Sequence, residues 1–304
     1  MDEETAPVEK AETSYPEGWR EAAAMLQKLN RPPPNIFGLI RSFLSADVRN
    51  QTVPSDVLTS EFIRLFKSKT IRSMYQYVAE SYRAPSSSEN APKTPREFLN
   101  TFTPFEHGVI LSICYLYRAV LKKSDPEEWS YIQMPFYDSL EVGALIGAAV
   151  PKIGLGFGLL TRGIRYLALA PMLWNSKNSF KEYRRHLKTN DQSFDSVFEQ
   201  NAWGCTSIHV ASLMLQSMGF NSKVSNAFFK AISGTNLEEL DQHYGTSFLA
   251  ANLWMNTMMD AVDPPRGLAQ EYLLDSSAYV SLSSKIQAAV NVEGRTEWLN
   301  REKK

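Results

Sequence analysis

The sequence predicts an all-α fold of about ten to thirteen helices, on three observations. Segment after segment repeats its apolar residues at spacings of three and four, the period of an amphipathic helix. No run alternates apolar with polar residues, and no Asn-Gly or Asp-Gly pair offers a hairpin turn. Hydrophobic residues make up 43% and charged residues 21% of the 304 positions, a balance that builds a core and excludes a disordered or fibrous chain.

Taken in order, residues 1–17 are acidic, contain Pro7 and Pro16, and read as a flexible tail. Trp19, Ala22, Ala23, Leu26 and Leu29 share a helical face, and Pro32-Pro33-Pro34 ends the run because proline cannot continue a helix. A helix follows over Ile36 to Leu44. The next runs from Ser60 to Tyr82, with Ser60 as its cap and Phe62, Leu65, Phe66, Ile71, Met74, Tyr75 and Val78 on one face. Residues 84–97, rich in Pro and Ser, read as an internal loop. Phe105 to Leu121 is apolar nearly all round, as a buried helix is. Asp125-Pro126-Glu127-Glu128 spells a helix start, with a side-chain cap, a proline in the first turn and acids at the positive dipole end. Beyond it, Ser179 to Leu187, Phe194 to Met218, Ser222 to Ile232, Leu237 to Val262 and Gly267 to Val292 fit helices. The expected organisation is one helical domain over 18–262 and a C-terminal helical extension over 263–304.

The most apolar stretch, Val142 to Ala170, is interrupted by Lys152, Arg162 and Arg165. Its uncharged runs of 10, 9 and 11 residues fall short of the roughly 20 that span a bilayer, so a buried helical hairpin is expected there instead of a membrane segment. Met1 to Glu21 has neither the basic start nor the apolar stretch of a secretory signal. Cys114 and Cys205, the two cysteines, form no disulfide framework or CxxC knuckle, which fits a reducing cytoplasm. Thirty-two basic against 33 acidic residues leave a net charge of -1, so no global field draws nucleic acid or an anionic membrane, and any such role needs a local patch.

Chemistry-bearing motifs are few. Gly154-Leu155-Gly156-Phe157-Gly158 lacks the GxGxxG spacing, a preceding strand and a following GK[ST], and reads as a close helix approach or a turn between buried helices. His107, His186, His209 and His243 are followed by Gly108, Leu187, Val210 and Tyr244, so the chain has no His-Asp doublet, and HExxH is absent too. No GxSxG occurs. Cys205 beside Gly204 is a candidate for a thiol activated at a helix N-terminus. The clearest polar feature is a helical stripe of Lys177, Lys181, Arg184, Arg185 and Lys188, opposed by Glu182 alone, with Phe180, Tyr183 and Leu187 anchoring the other side. A second basic cluster comprises Arg64, Lys67, Lys69 and Arg72. Either could meet an acidic partner, a phosphate or RNA.

One stretch is more specific. Glu199, then Gly204, Ser207, Val210 and Ala211, leads through Gly219-Phe220 into a further helix, and upstream lie Gly163, Arg165 and the Leu167 to Ala170 run. Over roughly 140–235 this resembles the HDOD domains, the HD-related output domains of bacterial signalling. In those a Glu and then Gly-x-x-His-x-x-Val-Gly/Ala opens a helix, so Ser207 stands in the place of the family's His. The family's N-terminal Asp-Pro-x-Leu and Leu-x-x-Asn-Ser features are not recognisable here, which leaves the N-terminal third unassigned. The resemblance implies an HD/HDOD-like multi-helix bundle that lacks metal ligands, with Glu199, Trp203, Ser207 and His209 lining the remnant of an ancestral pocket. The resulting expectation is a cytoplasmic, non-enzymatic regulatory or signal-transduction module that contacts another signalling protein through the Lys177 to Lys188 stripe. No catalytic residue, metal or cofactor is assigned, and the oligomeric state is not legible. Two alternatives stay open: a degenerate HD-type metal phosphohydrolase drawing on His107, His209, Asp241 and His243, and a binder of RNA or a nucleotide second messenger through the basic helices.

Overall fold

A computed structural model describes residues 18–48, 56–79, 82, 92–234 and 236–290. The expected tail at 1–17, most of the loop at 84–97 and the last residues of the C-terminal extension lie outside these. Among the described residues there is no strand, and the chain forms α1 (Trp19–Leu26), α2 (Pro34–Val48), α3 (Asp56–Leu65), α4 (Lys69–Val78), α5 (Pro95–Thr101), α6 (Pro104–Lys123), α7 (Pro126–Ala149), α8 (Gly154–Asn175), α9 (Lys177–Asn190), α10 (Ser196–Trp203), α11 (Ser207–Ser217), α12 (Ser222–Ile232), α13 (Tyr244–Met259) and α14 (Ser276–Val290).

Local chemistry sets most boundaries. Thr94 and Glu97, and again Thr103 and Glu106, form reciprocal capping boxes with Pro95 and Pro104 in the first turn, which starts α5 inside the stretch read as loop and α6 just after it. Asp125 accepts the Glu127 and Glu128 N–H groups, the cap its sequence spells. Four expected helices are shorter or divided. The run expected over 60–82 breaks at Lys67-Ser68 into α3 and α4, and Ser60 lies inside α3 rather than at its cap. That expected over 194–218 breaks where Gly204, at φ 69°, closes α10 and Thr206 caps α11. Asp241 captures the His243 and Tyr244 N–H groups, so α13 begins at Tyr244 and only a 3-10 turn covers Leu237–Glu239. Gly267, at φ 78°, and a 3-10 turn over Gln270–Tyr272 precede α14, whose start Asp275 caps through the Ala278 N–H.

The centre of the fold is the hairpin of α7 and α8, joined through residues 150–153. A Cβ on Gly158 would lie 2.0 Å from the Gly143 carbonyl oxygen, one on Gly143 2.1 Å from the Gly158 oxygen, and one on Gly147 2.4 Å from the Gly154 oxygen. The two backbones therefore touch, which accounts for Gly158 of the run that mimics a phosphate loop, while Gly156 makes room for the Phe105 ring and Gly154, at φ 71°, begins α8. Helices α6, α11 and α13 pack on α8, α13 and α14 pack on α7, α2 lies on α6, and α12 bridges α11 and α13. No helix among the described residues is long and apolar enough to cross a membrane.

At the other end, His107 of α6 is buried, stacked on Phe43 at 4.6 Å between ring centroids. Its Nε2–H donates to the Leu99 carbonyl at 3.3 Å, and with the ring neutral its Nδ1 accepts from the Tyr75 hydroxyl at 2.9 Å. Burial lowers its pKa from 6.5 to about 4. The folded state thus binds this proton less readily than the unfolded chain.

Two tests follow from this packing. Gly158→Ala should lose at least about 3 kcal/mol or fail to fold, whereas Gly38→Ala, which meets nothing within 4 Å in the exposed turn of α2, should gain about 0.5–1 kcal/mol in urea denaturation. Stability contributed by neutral His107 is fully present above pH 6.5 and should fall by up to about 3 kcal/mol between pH 6.5 and 4; His107→Gln should flatten that part of the profile.

Candidate functional site

Two buried arginines of α8 organise the polar interior. Arg162 donates through Nη1 to Ser193 Oγ at 3.0 Å and Asp260 Oδ1 at 3.2 Å, and through Nη2 to Asn256 Oδ1 at 2.7 Å, while its second bond to Asp260 closes a bidentate pair. Arg165 donates through Nε to Ser207 Oγ at 2.8 Å and through Nη2 to Ser196 Oγ at 3.3 Å, and its guanidinium lies 3.8 Å from the Phe194 ring centroid. Both residues line a polar cleft of about 490 Å³ together with Asn190, Asn252, Asn256 and Asp260.

Beneath Arg165 sits Glu199, fully buried. Its Oε1 accepts from the Tyr183 hydroxyl at 2.5 Å, and its Oε2 accepts the Ser207 N–H at 2.6 Å and the Ser207 hydroxyl at 2.8 Å. Arg165 Nη2 stands 3.9 Å from Oε1. Burial and the neighbouring Glu199 both push the Tyr183 phenol upward, so it remains a donor. Burial pulls the Arg165 pKa down while Glu199 opposes the shift. Ser207, at the position where the resembling family has His, thus relays Arg165 to Glu199 within one closed network.

The other residues expected in the remnant pocket separate from this pair. Trp203 packs its ring edge-on to Tyr183 at 5.5 Å, with its indole N–H buried and without an acceptor. His209, two positions along the helix from Ser207, packs against Trp19 at 5.1 Å and Phe229 at 4.8 Å and closes the α11 capping box with Thr206. Cys205 is buried, and burial pushes its thiol up to about 12. A thiol raised in this way is the opposite of an activated one, so Cys205 reads as a buried core residue.

His107, Asp241 and His243 are likewise held in separate settings: His107 between Tyr75 and Leu99, Asp241 on Lys223 at 2.9 Å, and His243 against Tyr244 at 4.7 Å. No three His, Cys, Asp or Glu side chains among the described residues converge as metal donors. The basic stripe forms as expected on α9. Phe180 and Tyr183 are buried, Leu187 is half-buried, and Lys177, Lys181, Arg185 and Lys188 are exposed. Lys177 pairs with Glu128 at 2.6 Å, and Arg184 lies flat on Tyr131 at 3.4 Å. Between α7 and α9 a groove of about 330 Å³ is lined by Tyr131, Ile132, Pro135, Phe180, Arg184 and Leu187, among others. His186 and Asp195, 2.8 Å apart, tie the end of α9 to the start of α10, and the Phe198 N–H and then His186 hold the Asp195 carboxyl below its usual range.

Removing Glu199 strands a buried guanidinium. Glu199→Ala should therefore cost about 3–5 kcal/mol, whereas Arg185→Ala, on the exposed stripe, should change stability by less than about 0.5 kcal/mol in denaturant titrations.

No family model matches the chain, and no curated protein matches it. Solved structures do. A protein named "Putative phosphohydrolase" from Shewanella amazonensis aligns with a TM-score of 0.55 at 10% identity, over 93% of this chain and 94% of that one. A "Putative signal transduction protein" from Marinobacter aquaeolei aligns with a TM-score of 0.53 at 13% identity, over 92% of this chain and 65% of that one. An HDOD domain protein of unknown function from Geobacter sulfurreducens gives 0.49 at 12% identity, over 93% and 92%. At such identities the likeness is one of fold: the chain shares an all-helical fold with the first two of these structures.

Proposed function

We propose that this chain is a non-enzymatic signalling module of the cytoplasm that acts through protein contacts. The fold does not choose between the roles its neighbours are named for, since one carries the name of a hydrolase and another that of a signal transduction protein. The site favours the second of these roles. One observation carries it: Glu199, the acid of the expected pocket, is fully buried with both carboxylate oxygens occupied by Ser207 and Tyr183. A carboxylate held by three internal donors and with no exposed surface presents no open face to a substrate or a metal, and Arg165 stands beside it as its counter-charge. The histidines that a phosphohydrolase would need are spent on packing and capping.

The surface offers what the interior lacks. Lys181, Arg185 and Lys188 project from a helix whose other side is anchored in the core, and Tyr131 and Met134 stay exposed on neighbouring α7. An apolar groove lined by Arg184 and Asp138, with Lys181, Arg185 and Lys188 exposed on the same helix α9, suits an acidic amphipathic helix, which would place its apolar residues between α7 and α9.

The full chain incubated with Mn²⁺ or Mg²⁺ and ATP, GTP, cyclic di-GMP or p-nitrophenyl phosphate should release product no faster than buffer. Turnover that Glu199→Gln abolishes would overturn the reading. A fluorescent helical peptide with Leu at i, i+3, i+4 and i+7 and Glu elsewhere should bind, and Lys181→Glu, Arg185→Glu and Lys188→Glu together should weaken it at least tenfold without lowering Tm. Stronger binding of a 30-nucleotide RNA than of the peptide would assign the stripe to nucleic acid instead.

A further inference from the structure

The second basic cluster of the sequence has no part in the contact surface on α9. It lies instead beside an apolar recess of about 600 Å³ between α2, the α3–α4 turn and α6. Its walls are aliphatic and aromatic: Ile36 from α2, Leu65 from α3, Ile71 from α4, and Leu111, Tyr115 and Leu121 from α6. Its polar groups make few demands. The Tyr115 hydroxyl already donates to the Arg31 carbonyl at 2.9 Å. Cys114 is buried at the wall.

Cationic side chains border the groove, while Arg64 of the same cluster is paired with Glu61 at 2.6 Å. Arg118 and Lys122, one helical turn apart on α6, line it and are exposed. Lys67 and Lys69 occupy the α3–α4 turn between the lining residues Leu65 and Ile71, and Arg72 follows Ile71; all three are exposed. No Asp or Glu is among the described lining residues. The break of the expected helix at Lys67-Ser68 is what brings the cluster to this place, because it turns α4 back so that Ile71 joins Leu65 at the recess.

We infer that this groove is a binding site for a linear amphiphile with an anionic head, an acyl chain bearing a carboxylate or phosphate. The volume falls within the roughly 300–1,000 Å³ of small-molecule sites, whose walls are mainly apolar with a few convergent polar groups. The aliphatic walls take the chain and remove it from water, and Arg118 and Lys122 meet the head at the mouth, where a guanidinium can hold a carboxylate or phosphate in two hydrogen bonds.

Isothermal titration of the full chain with dodecanoate, kept below its micelle concentration, tests the site. One dodecanoate per chain is expected. Octanoate should bind at least tenfold more weakly, because fewer methylenes leave water. Dodecyltrimethylammonium, with the same tail and the opposite head, should also bind at least tenfold more weakly, and the gap should narrow as salt rises. Arg118→Glu with Lys122→Glu, both on the surface, should cost at least tenfold in dodecanoate affinity at unchanged Tm, and Ala119→Trp should fill the groove and abolish binding. No dodecanoate binding, equal affinity for the cationic amphiphile, or indifference to the double charge reversal would overturn the proposal. Sedimentation with phosphatidylglycerol vesicles distinguishes the source: binding of free dodecanoate without vesicle binding assigns a soluble ligand, and binding of both assigns lipid extraction. Vesicle binding without dodecanoate binding would overturn an acyl site. A concentration-dependent dimer that the double charge reversal or Ala119→Trp disperses would likewise overturn it, by showing that a second copy covers the groove.

Discussion

The backbone contact between α7 and α8 at Gly143, Gly147 and Gly158 is the constraint on which the rest of the structure depends. With carbonyl oxygens about 2 Å from where a Cβ would stand, no other residue fits without separating the helices. Close approach lets α8 serve as the central strut, flanked by α6, α11 and α13, and buries Arg162 and Arg165 on its length. Two cations in the middle of a core are costly to desolvate unless matched nearby. Asp260, just past the end of α13, and Glu199 of α10 supply the matches, so the glycine seam indirectly dictates where those acids must stand.

This arrangement separates interior from surface chemistry. Inside, the charged groups around α8 are used: Glu199 by Ser207 and Tyr183, Arg165 by Ser207 and Ser196, Arg162 by Asp260 and Asn256. Ser207 is the hinge of the account. As a small hydroxyl it both accepts from Arg165 and donates to Glu199, where a histidine would need more room and would present a second nitrogen. Outside, Lys181, Arg185 and Lys188 of α9 and Lys122 at the groove of α6 are exposed, and those are the places where recognition can act without opening the core.

Much of the fold was legible in the chain. The helical period, the Asp125-Pro126 start and the all-round apolar pattern of α6 are local signals, and local signals survive tertiary assembly. The glycine run, read as a close helix approach or a turn between buried helices, holds both, Gly158 at the approach and Gly154 at the turn, and Lys177 to Lys188 does form an amphipathic helix. What escaped was decided by partners far along the chain or by competition between local motifs. Arg162 marked only an interruption in an apolar stretch, because Asp260 stands 98 residues away. The breaks at Ser68 and Gly204 lay inside runs whose apolar period continues across them, and the period hid them although Gly204 and Thr206 spell a helix end and a cap. Cys205 was placed correctly near a helix start, but burial, which depends on what packs over it, set its chemistry. The groove of α6 needs three segments of the sequence to meet, so no single segment announces it.

The central claim is that the Arg165, Ser207, Glu199 and Tyr183 network is closed, and the Ser207 amide reports on it directly because its hydrogen is held by Glu199 at 2.6 Å. Native-state hydrogen exchange at that amide, followed by NMR against added denaturant, reads the free energy of the opening that exposes it. The account requires exchange only through global unfolding, with the same free energy and denaturant dependence as the core amides of α8. Exchange through a small local opening, insensitive to denaturant and several kcal/mol below the global value, would show an accessible site and contradict the account.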